Sequence, residues 1–491
     1  MKKFVLGLLT AAMVLGTAGI SFAQQDLPQF CTFGYYRAAA SFVNNFGFDE
    51  DAKSDDHQIY QRIRQYFEYS ANENLTAQVA YEIDNGWGYQ GGYFGNDAAA
   101  NKHEDFSGIE IKRAQLNFNW PNTEVNIQAG LTGYVTPGSA MGTPVLADDM
   151  PGIFINAPVN DMASFTLGYV RAYDGYRISG GSDYDDTREY RTGGDQLDAF
   201  VASVPLNYEG FNLTPYGVYA RIGEEVMNSQ YTGMFDTWTS FLGTIASESA
   251  DEDLYDDNVD AFWVGLPFGI DMIDPLSITG QFVYGSVDGG SSALDREGYF
   301  FDVSVDYTAM DLFTPSLYFY YSSGEDDDID DGSETMPTLR NDGYYYPPAG
   351  AALGFNSAYG FGDGDYSYAQ YVPHGVWSLG FALKDIQFVD KLSHSFAIAY
   401  SQGTHDEDAF TEEVVALDKE DSRFTEMTTE DSSVEVTFYN YYQIYENLKA
   451  VLELDYAALD MDEDIWGEGP NGGDYKDDDI YRATFGLSYD F

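Results

Sequence analysis

The chain has 491 residues, with 81 acidic side chains against 23 basic ones and a formal charge of −58. At 44% hydrophobic and 16% aromatic it carries ample apolar material to fold. So negative a balance excludes a nucleic-acid binder, which needs a basic face for phosphate, and the single Cys31 excludes an internal disulfide framework or a Cys-rich metal centre.

Lys2 and Lys3 precede an apolar run from Phe4 to about Gly19, and Ser21-Phe22-Ala23 follows as a small-x-small site. Residues 1–23 read as a secretory signal peptide cut after Ala23. The apolar core is too short for a membrane span, and no Cys follows the cut site to take a lipid. Removing 23 residues and two lysines leaves 468 residues, 24–491, and takes the charge from −58 to −60. No later apolar run is long enough for a transmembrane helix.

The remainder is written in period two, the signature of strands whose side chains alternate between faces. Predicted strands start near residues 33, 57, 75, 108, 124, 152, 163, 196, 213, 259, 276, 298, 314, 376, 393, 433, 448 and 480. Tyr299, Phe301, Val303, Val305 and Tyr307 share one face against Asp302, Ser304 and Asp306. Trp377, Leu379, Phe381 and Leu383 repeat the pattern against Ser378, Gly380 and Lys384. The least regular element is Gly152–Val159, which is short and carries Pro158 near its end.

A soluble sandwich also alternates. Segment lengths of about ten residues instead suit a tilted strand crossing a bilayer. Short connections (Ala71–Asn74, Pro121–Thr123, Asn160–Met162, Glu446–Asn447) alternate with long polar ones (Asn85–Ser107, Glu224–Asn258, Ser323–Gly375, Thr404–Ser432). The expected fold is therefore an all-β transmembrane antiparallel β-barrel of about 18 strands, with about 16 as the alternative. Closure satisfies every backbone group in lipid. The last strand ends on Tyr489 and Phe491, a terminal aromatic pattern resembling the sorting signal of outer-membrane barrels and thus implying the barrel-assembly machinery as a partner.

The runs Gln61-Arg62-Ile63-Arg64, Asn72-Glu73-Asn74-Leu75, Pro121-Asn122-Thr123, Ala129-Gly130-Leu131 and Thr143 through Ile153 together resemble the homotrimeric outer-membrane porins of Desulfovibrio-type sulfate-reducing bacteria. The resemblance covers about residues 57–175 and the C-terminal strand. It implies a homotrimer of water-filled diffusion channels. The acidity of this chain departs from it and leaves any inherited ion preference open.

Few residues point to chemistry. His57, His103, His374, His394 and His405 form no metal-binding or catalytic pair, no Gly-rich phosphate loop is present, and no enzyme or cofactor is expected. Acidic runs such as Glu325–Asp328, Asp330–Asp331, Asp251–Asp253, Asp256–Asp257 and Asp477–Asp479 lack calcium-loop spacing. They read either as a solvated surface suited to a saline habitat or as a negative vestibule that gathers cations, including loosely bound divalent ions. Arg62, Arg64 and Arg113 lie on polar strand faces. Facing lipid would cost each about 2–4 kcal/mol, so they are expected in the lumen, either as paired wall charges or as solute contacts. Gln61 and Gln65 then face outward, where amides in hydrocarbon are costly, which suggests a trimer interface.

Residues 132–151, rich in Gly and Pro and ending with Asp148 and Asp149, are the candidate constriction loop, with an ordinary external loop as the alternative. Folded inward, it would carry both aspartates toward the wall of Arg62, Arg64 and Arg113. The function expected is passive diffusion of small hydrophilic solutes through the outer membrane, with cation preference set by the acidic mouth. The alternatives are a substrate-selective channel with a tyrosine stacking track, a structural or adhesive barrel, and a barrel enzyme.

Overall fold

The computed structural model describes residues 28–44, 56–87, 109–174, 196–224, 258–290, 295–327, 332–341, 345, 347–349, 375–409, 427–462, 465 and 479–491. The signal-peptide segment, His103, His374 and the acidic runs at 251–257, 330–331 and 477–478 lie outside the described residues.

A single sheet of 22 segments, antiparallel except where Arg340–Asn341 pairs parallel with Leu146 and Ala147, closes on itself. Three of these segments continue a strand interrupted at proline, and one, Arg340–Asn341, belongs to a loop, which leaves 18 barrel strands. We number them β1 (Gln29–Asn44), β2 (Asp56–Asn72), β3 (Leu75–Gly86), β4 (Ile109–Asn119), β5 (Asn126–Val135), β6 (Leu146–Asn160) and β7 (Ala163–Asp174). Next come β8 (Gln196–Ser203 with Leu206–Tyr208), β9 (Phe211–Leu213 with Tyr216–Ile222), β10 (Val259–Gly265 with Phe268–Ile270), β11 (Leu276–Asp288) and β12 (Arg296–Tyr307). The last six are β13 (Thr314–Ser322), β14 (Val376–Val389), β15 (Leu392–Gly403), β16 (Ser432–Tyr445), β17 (Leu448–Asp460) and β18 (Ile480–Asp490). Every predicted strand is present, so the 16-strand alternative falls. Gly152–Val159 is longer than the alternation indicated, because Leu146–Pro151 extends it.

Proline cannot donate to a ladder. In β8, β9 and β10 the ladder breaks at Pro205, Pro215 and Pro267, yet each proline carbonyl still accepts from a neighbouring strand: Ser164 N to Pro205 O is 3.1 Å, Val204 N to Pro215 O 3.0 Å and Thr214 N to Pro267 O 2.9 Å.

β1 pairs with both β2 and β18, which closes the barrel. Closure reaches the last residue: Gly34 N donates to Phe491 O at 2.8 Å, and Phe491 N to Gly34 O at 2.9 Å. A Cβ on Gly34 would lie 2.2 Å from Arg64 O and 3.2 Å from the Phe491 ring, so only glycine admits this seam. Tyr489 stacks on Phe491 at 5.6 Å.

The outward face is apolar and aromatic over most of the barrel, with Phe262, Phe282, Tyr299, Leu317 and Leu379 all exposed. Near the long-loop end its tyrosines hold carboxylates, Tyr169 Oη to Asp198 at 2.8 Å and Tyr219 Oη to Asp260 at 2.7 Å. The buried core lies inside the barrel rather than between layers: Val218, Trp263, Phe300, Tyr318 and Tyr320 face the lumen and are covered by inserted loops. No helix of the described residues is long and apolar enough to cross a membrane, a statement that does not bear on strands.

Candidate functional site

The ladder around β5 and β6 sets the shape of the lumen. β4 pairs with β5 only as far as Ala114↔Leu131, and β6 pairs with β7 only as far as Gly152↔Val170. β5 and β6 continue to pair with each other up to Val135↔Ala147. The end of this hairpin is therefore detached from both neighbours, and Val145, Leu146 and Ala147 are fully buried. Residues 132–151 are thus half strand hairpin, rather than wholly the compact folded loop expected from their Gly and Pro content. Only residues 136–145 form the turn.

That turn crosses to the far wall. Ser139 Oγ donates to Asp302 Oδ2 of β12 at 2.9 Å, and Gln281 Nε2 of β11 donates to Gly142 O at 2.9 Å. A second insertion comes from the connection between β13 and β14. Leu339 N donates to Val145 O at 3.0 Å, Trp263 Nε1 to Pro337 O at 2.7 Å and Tyr318 Oη to Ala349 O at 2.8 Å. Tyr345 stands edge-on to Phe300 at 5.1 Å and to Tyr320 at 5.8 Å. These insertions fill the lumen against β8–β13. They leave two polar walls that carry charge: β1–β5, and β16–β18, where Arg482 Nε lies 2.9 Å from Asp455 Oδ2.

Arg62 and Arg64 face the lumen, as alternation predicts, and β3 neutralises them. Arg62 Nε donates to Asp84 Oδ2 at 2.7 Å, and Arg64 Nε to Glu82 Oε2 at 2.6 Å. Arg113 pairs with Asp149 of the inserted hairpin. Lys112, which strict alternation would send to lipid, lies 3.2 Å from Glu82, 2.9 Å from Glu110 and 3.9 Å from Asp149. The reason is a bulge: the β3–β4 register shifts at Ala80/Tyr81, so two adjacent β4 residues turn inward. Only the adjacent basic pair within an alternating strand hinted at this.

The expectation that both hairpin aspartates meet the three arginines holds for one contact alone. Asp149 meets Arg113 and Lys112. Asp148 pairs in register with Tyr134 and so lies on the opposite face of β6, where its Oδ1 accepts the Asp149 N–H at 2.6 Å. Arg62 and Arg64 find their partners on β3. Arg37 of β1, absent from the sequence-based set, is paired in register with Arg62 and sits over the Tyr35 ring at 4.3 Å.

Toward the short-turn end the wall carries a chain of amides. Gln128 Nε2 donates to Gln115 Oε1 at 2.7 Å, Gln115 to Gln78 at 3.2 Å, and Gln78 to the Glu68 carboxylate at 3.1 Å. Beside Glu68, Tyr66 stacks on Phe33 at 4.9 Å. Tyr35, under Arg37 and Arg64, and Tyr439 and Tyr441, beside Glu453 and Asp455, are the other tyrosines on this side, whereas Tyr169, Tyr219 and Tyr299 face outward and Tyr216, Tyr318 and Tyr320 are buried under the insertions.

Gln61 and Gln65 lie on the outward side, but each amide has a partner within the chain. Tyr36 Oη donates to Gln61 Oε1 at 3.2 Å, and Gln65 Nε2 donates to Phe33 O at 3.0 Å. The surrounding outward face mixes small residues, Gly34, Ala38, Ala40 and Ala77, with Tyr36, Phe67, Tyr69 and Tyr81. His57 and His394 are outward and stack on Phe42 and Phe438, and His405 is buried between loops, its Nδ1 accepting the Glu325 N–H at 3.0 Å. No group of three or more metal-ligating side chains occurs among the described residues.

No family model and no curated protein matches the chain. Solved structures do match in architecture. A BenF-like porin from Pseudomonas fluorescens Pf-5 aligns with a TM-score of 0.51 at 11% identity, covering 95% of this chain and 99% of that one. OprD of Pseudomonas aeruginosa, with a TM-score of 0.49 at 10% identity over 94% and 95%, and the outer-membrane channel DcaP of Acinetobacter baumannii, with 0.41 at 11% over 96% and 99%, are more distant. None of these neighbours supports the sulfate-reducer resemblance. At such identity the likeness speaks to the fold: this chain has the closed 18-stranded antiparallel architecture of outer-membrane porins.

Proposed function

We propose that the protein is a passive channel of the bacterial outer membrane for small hydrophilic solutes and ions, with a preference for cations. The observation that carries this reading is the detached β5–β6 hairpin laid across the lumen. A plug that excluded all passage would have no need of a charged, hydrogen-bonded lining on the remaining wall, whereas a diffusion channel narrows its bore and keeps that lining wet. Cation preference follows from charge balance. Arg62, Arg64, Lys112 and Arg113 each face a carboxylate at the narrow level, so these four basic residues of the wall are offset locally. The large acidic excess of the chain stays uncompensated elsewhere and raises the cation concentration near the mouth. Loosely held divalent cations at those acidic loops fit the same picture, and no cofactor is needed.

A substrate-selective channel is the second reading. It is favoured by the lumen-side Phe33–Tyr66 stack next to the amide chain, a surface suited to a ring-bearing polar solute. The export signal at residues 1–23 and the terminal Tyr489 and Phe491, as the mark read by the assembly machinery, complete the proposal. So does a homotrimer whose contact face includes Gln61 and Gln65 on the outward face of β1–β3. The experiment is a planar-bilayer recording in a salt gradient. Stable steps with a reversal potential of the cation-selective sign are expected at low salt, with selectivity fading as salt shortens the Debye length from about 30 Å at 0.01 M to about 3 Å at 1 M. Silence, or anion selectivity at low salt, would refute the reading.

A further inference from the structure

The contact between the hairpin turn and the far wall contains a charge without an answer. Asp302 is fully buried. Its Oδ2 accepts from Ser139 Oγ at 2.9 Å and from Gln281 Nε2 at 2.5 Å. No described Lys, Arg or His forms an ion pair with it; Lys384, further along the same wall, is 2.9 Å from Asp306. Tyr345, from the second insertion, also faces this carboxyl, and burial first, then Asp302 beside it, keeps the Tyr345 hydroxyl protonated.

Two acceptor atoms at this spot have no donor: Asp302 Oδ1 and Gln281 Oε1. They belong to residues paired directly across β11 and β12. The orientation of the Gln281 amide is not arbitrary, because its Nε2 is committed to Gly142 O at 2.9 Å and to Asp302. The buried Tyr216 hydroxyl stands at the same turn, beside the Thr136 and Thr143 hydroxyls. The Tyr216 ring lies across Gly265 of β10, where a Cβ would come within 2.1 Å of it. Acceptor oxygens and one carboxylate with no cationic side chain are the donor set of a hard metal cation. A buried carboxylate lacking an opposite charge is strongly unfavourable, and unanswered buried acceptors in a native fold call for an ion or a water.

We propose that the β11–β12 wall and the inserted turn together bind one hard cation, of the Na⁺ or Ca²⁺ class, held by Asp302 Oδ1 and Gln281 Oε1. The cation neutralises Asp302 and fastens the hairpin across the lumen through Ser139 and Gly142. It makes the aperture depend on the ions that the acidic mouth collects. The site stands independently of the channel's selectivity, since its thermal signature needs no transport.

The test uses the detergent-purified full protein, stripped with EDTA into N-methyl-D-glucamine chloride. CaCl₂ or NaCl is then added at constant ionic strength. The acidic loops respond to cations in any variant, so the readout is the difference between wild type and Asp302→Asn. A saturable rise of several degrees in Tm is expected in wild type, largely lost in Asp302→Asn and in Gln281→Leu, together with quieter single-channel current when the cation is present. An equal rise in wild type and both variants, or none in wild type because a proton serves instead, would overturn the proposal. Should the variants fail to fold, anomalous scattering from wild-type crystals grown with calcium chloride or soaked in thallium acetate decides: a peak beside Asp302 Oδ1 supports the site, and its absence with both ions refutes it.

Discussion

Replacing Asp149 by Asn tests how the narrow level of the lumen treats ions. Around the β3–β4 bulge, Arg62, Arg64, Lys112 and Arg113 face Glu82, Asp84, Glu110 and Asp149, four charges of each sign. Asp149→Asn leaves one positive charge in excess, carried by side chains 12% and 18% exposed and so felt from the lumen. A unit charge about 5 Å from a passing ion is worth about 0.8 kcal/mol in bulk-water dielectric. Screening at about 0.1 M salt, with a Debye length of about 10 Å, reduces this to about 0.5 kcal/mol. Cations lose that amount and anions gain it, so the permeability ratio should move about fivefold toward anions. The assay is the reversal potential across a tenfold KCl gradient at low salt, with heat-modifiable gel mobility as the control for folding. Adding Arg113→Gln to Asp149→Asn should restore most of the original ratio, because the local sum returns to zero. A folded Asp149→Asn channel with an unchanged reversal potential would show that ions do not pass this pair, and the assignment of the narrow level would fail.

Other positions make independent demands. Gly34→Val places a side chain against Arg64 O and the Phe491 ring, and deleting Phe491 removes the pair of bonds that ends the seam; both should lower the yield of heat-modifiable barrel, and normal yields would contradict the closure described. Trp263→Phe removes the donor to Pro337 O at a cost of about 1 kcal/mol, and should raise current noise as the second insertion loosens, while an unaltered trace would mean this bond does not hold the loop. Cysteines at Gln61 and Gln65 should crosslink subunits in membranes, whereas an exclusively monomeric product would remove the case for that face as a trimer contact.

The barrel itself was legible from the residues because lipid and lumen impose opposite chemistries on alternate side chains, and that contrast survives in one dimension. Seventeen of the 18 predicted starts lie within four residues of an observed strand start; the exception is Gly152, where β6 starts earlier at Leu146. Arg62 and Arg64 could be assigned to the lumen for the same reason, since their neighbours Ile63 and Phe67 occupy the other face. Lys112 could not, because a bulge adds a residue to one strand and alternation carries no record of it. Nor could the partners of the arginines: which carboxylate meets which guanidinium depends on register, and register is set between strands. The inserted hairpin shows the limit most clearly. Its Gly and Pro content indicated a compact segment, but its course is decided by where β4 and β7 stop pairing with it and by Ser139 and Gly142 meeting a wall more than a hundred residues away in the chain. Alternation is a property of each strand alone and could be read from the sequence, whereas the lining of the lumen is made by segments distant in the chain, and only their packing in three dimensions determines it.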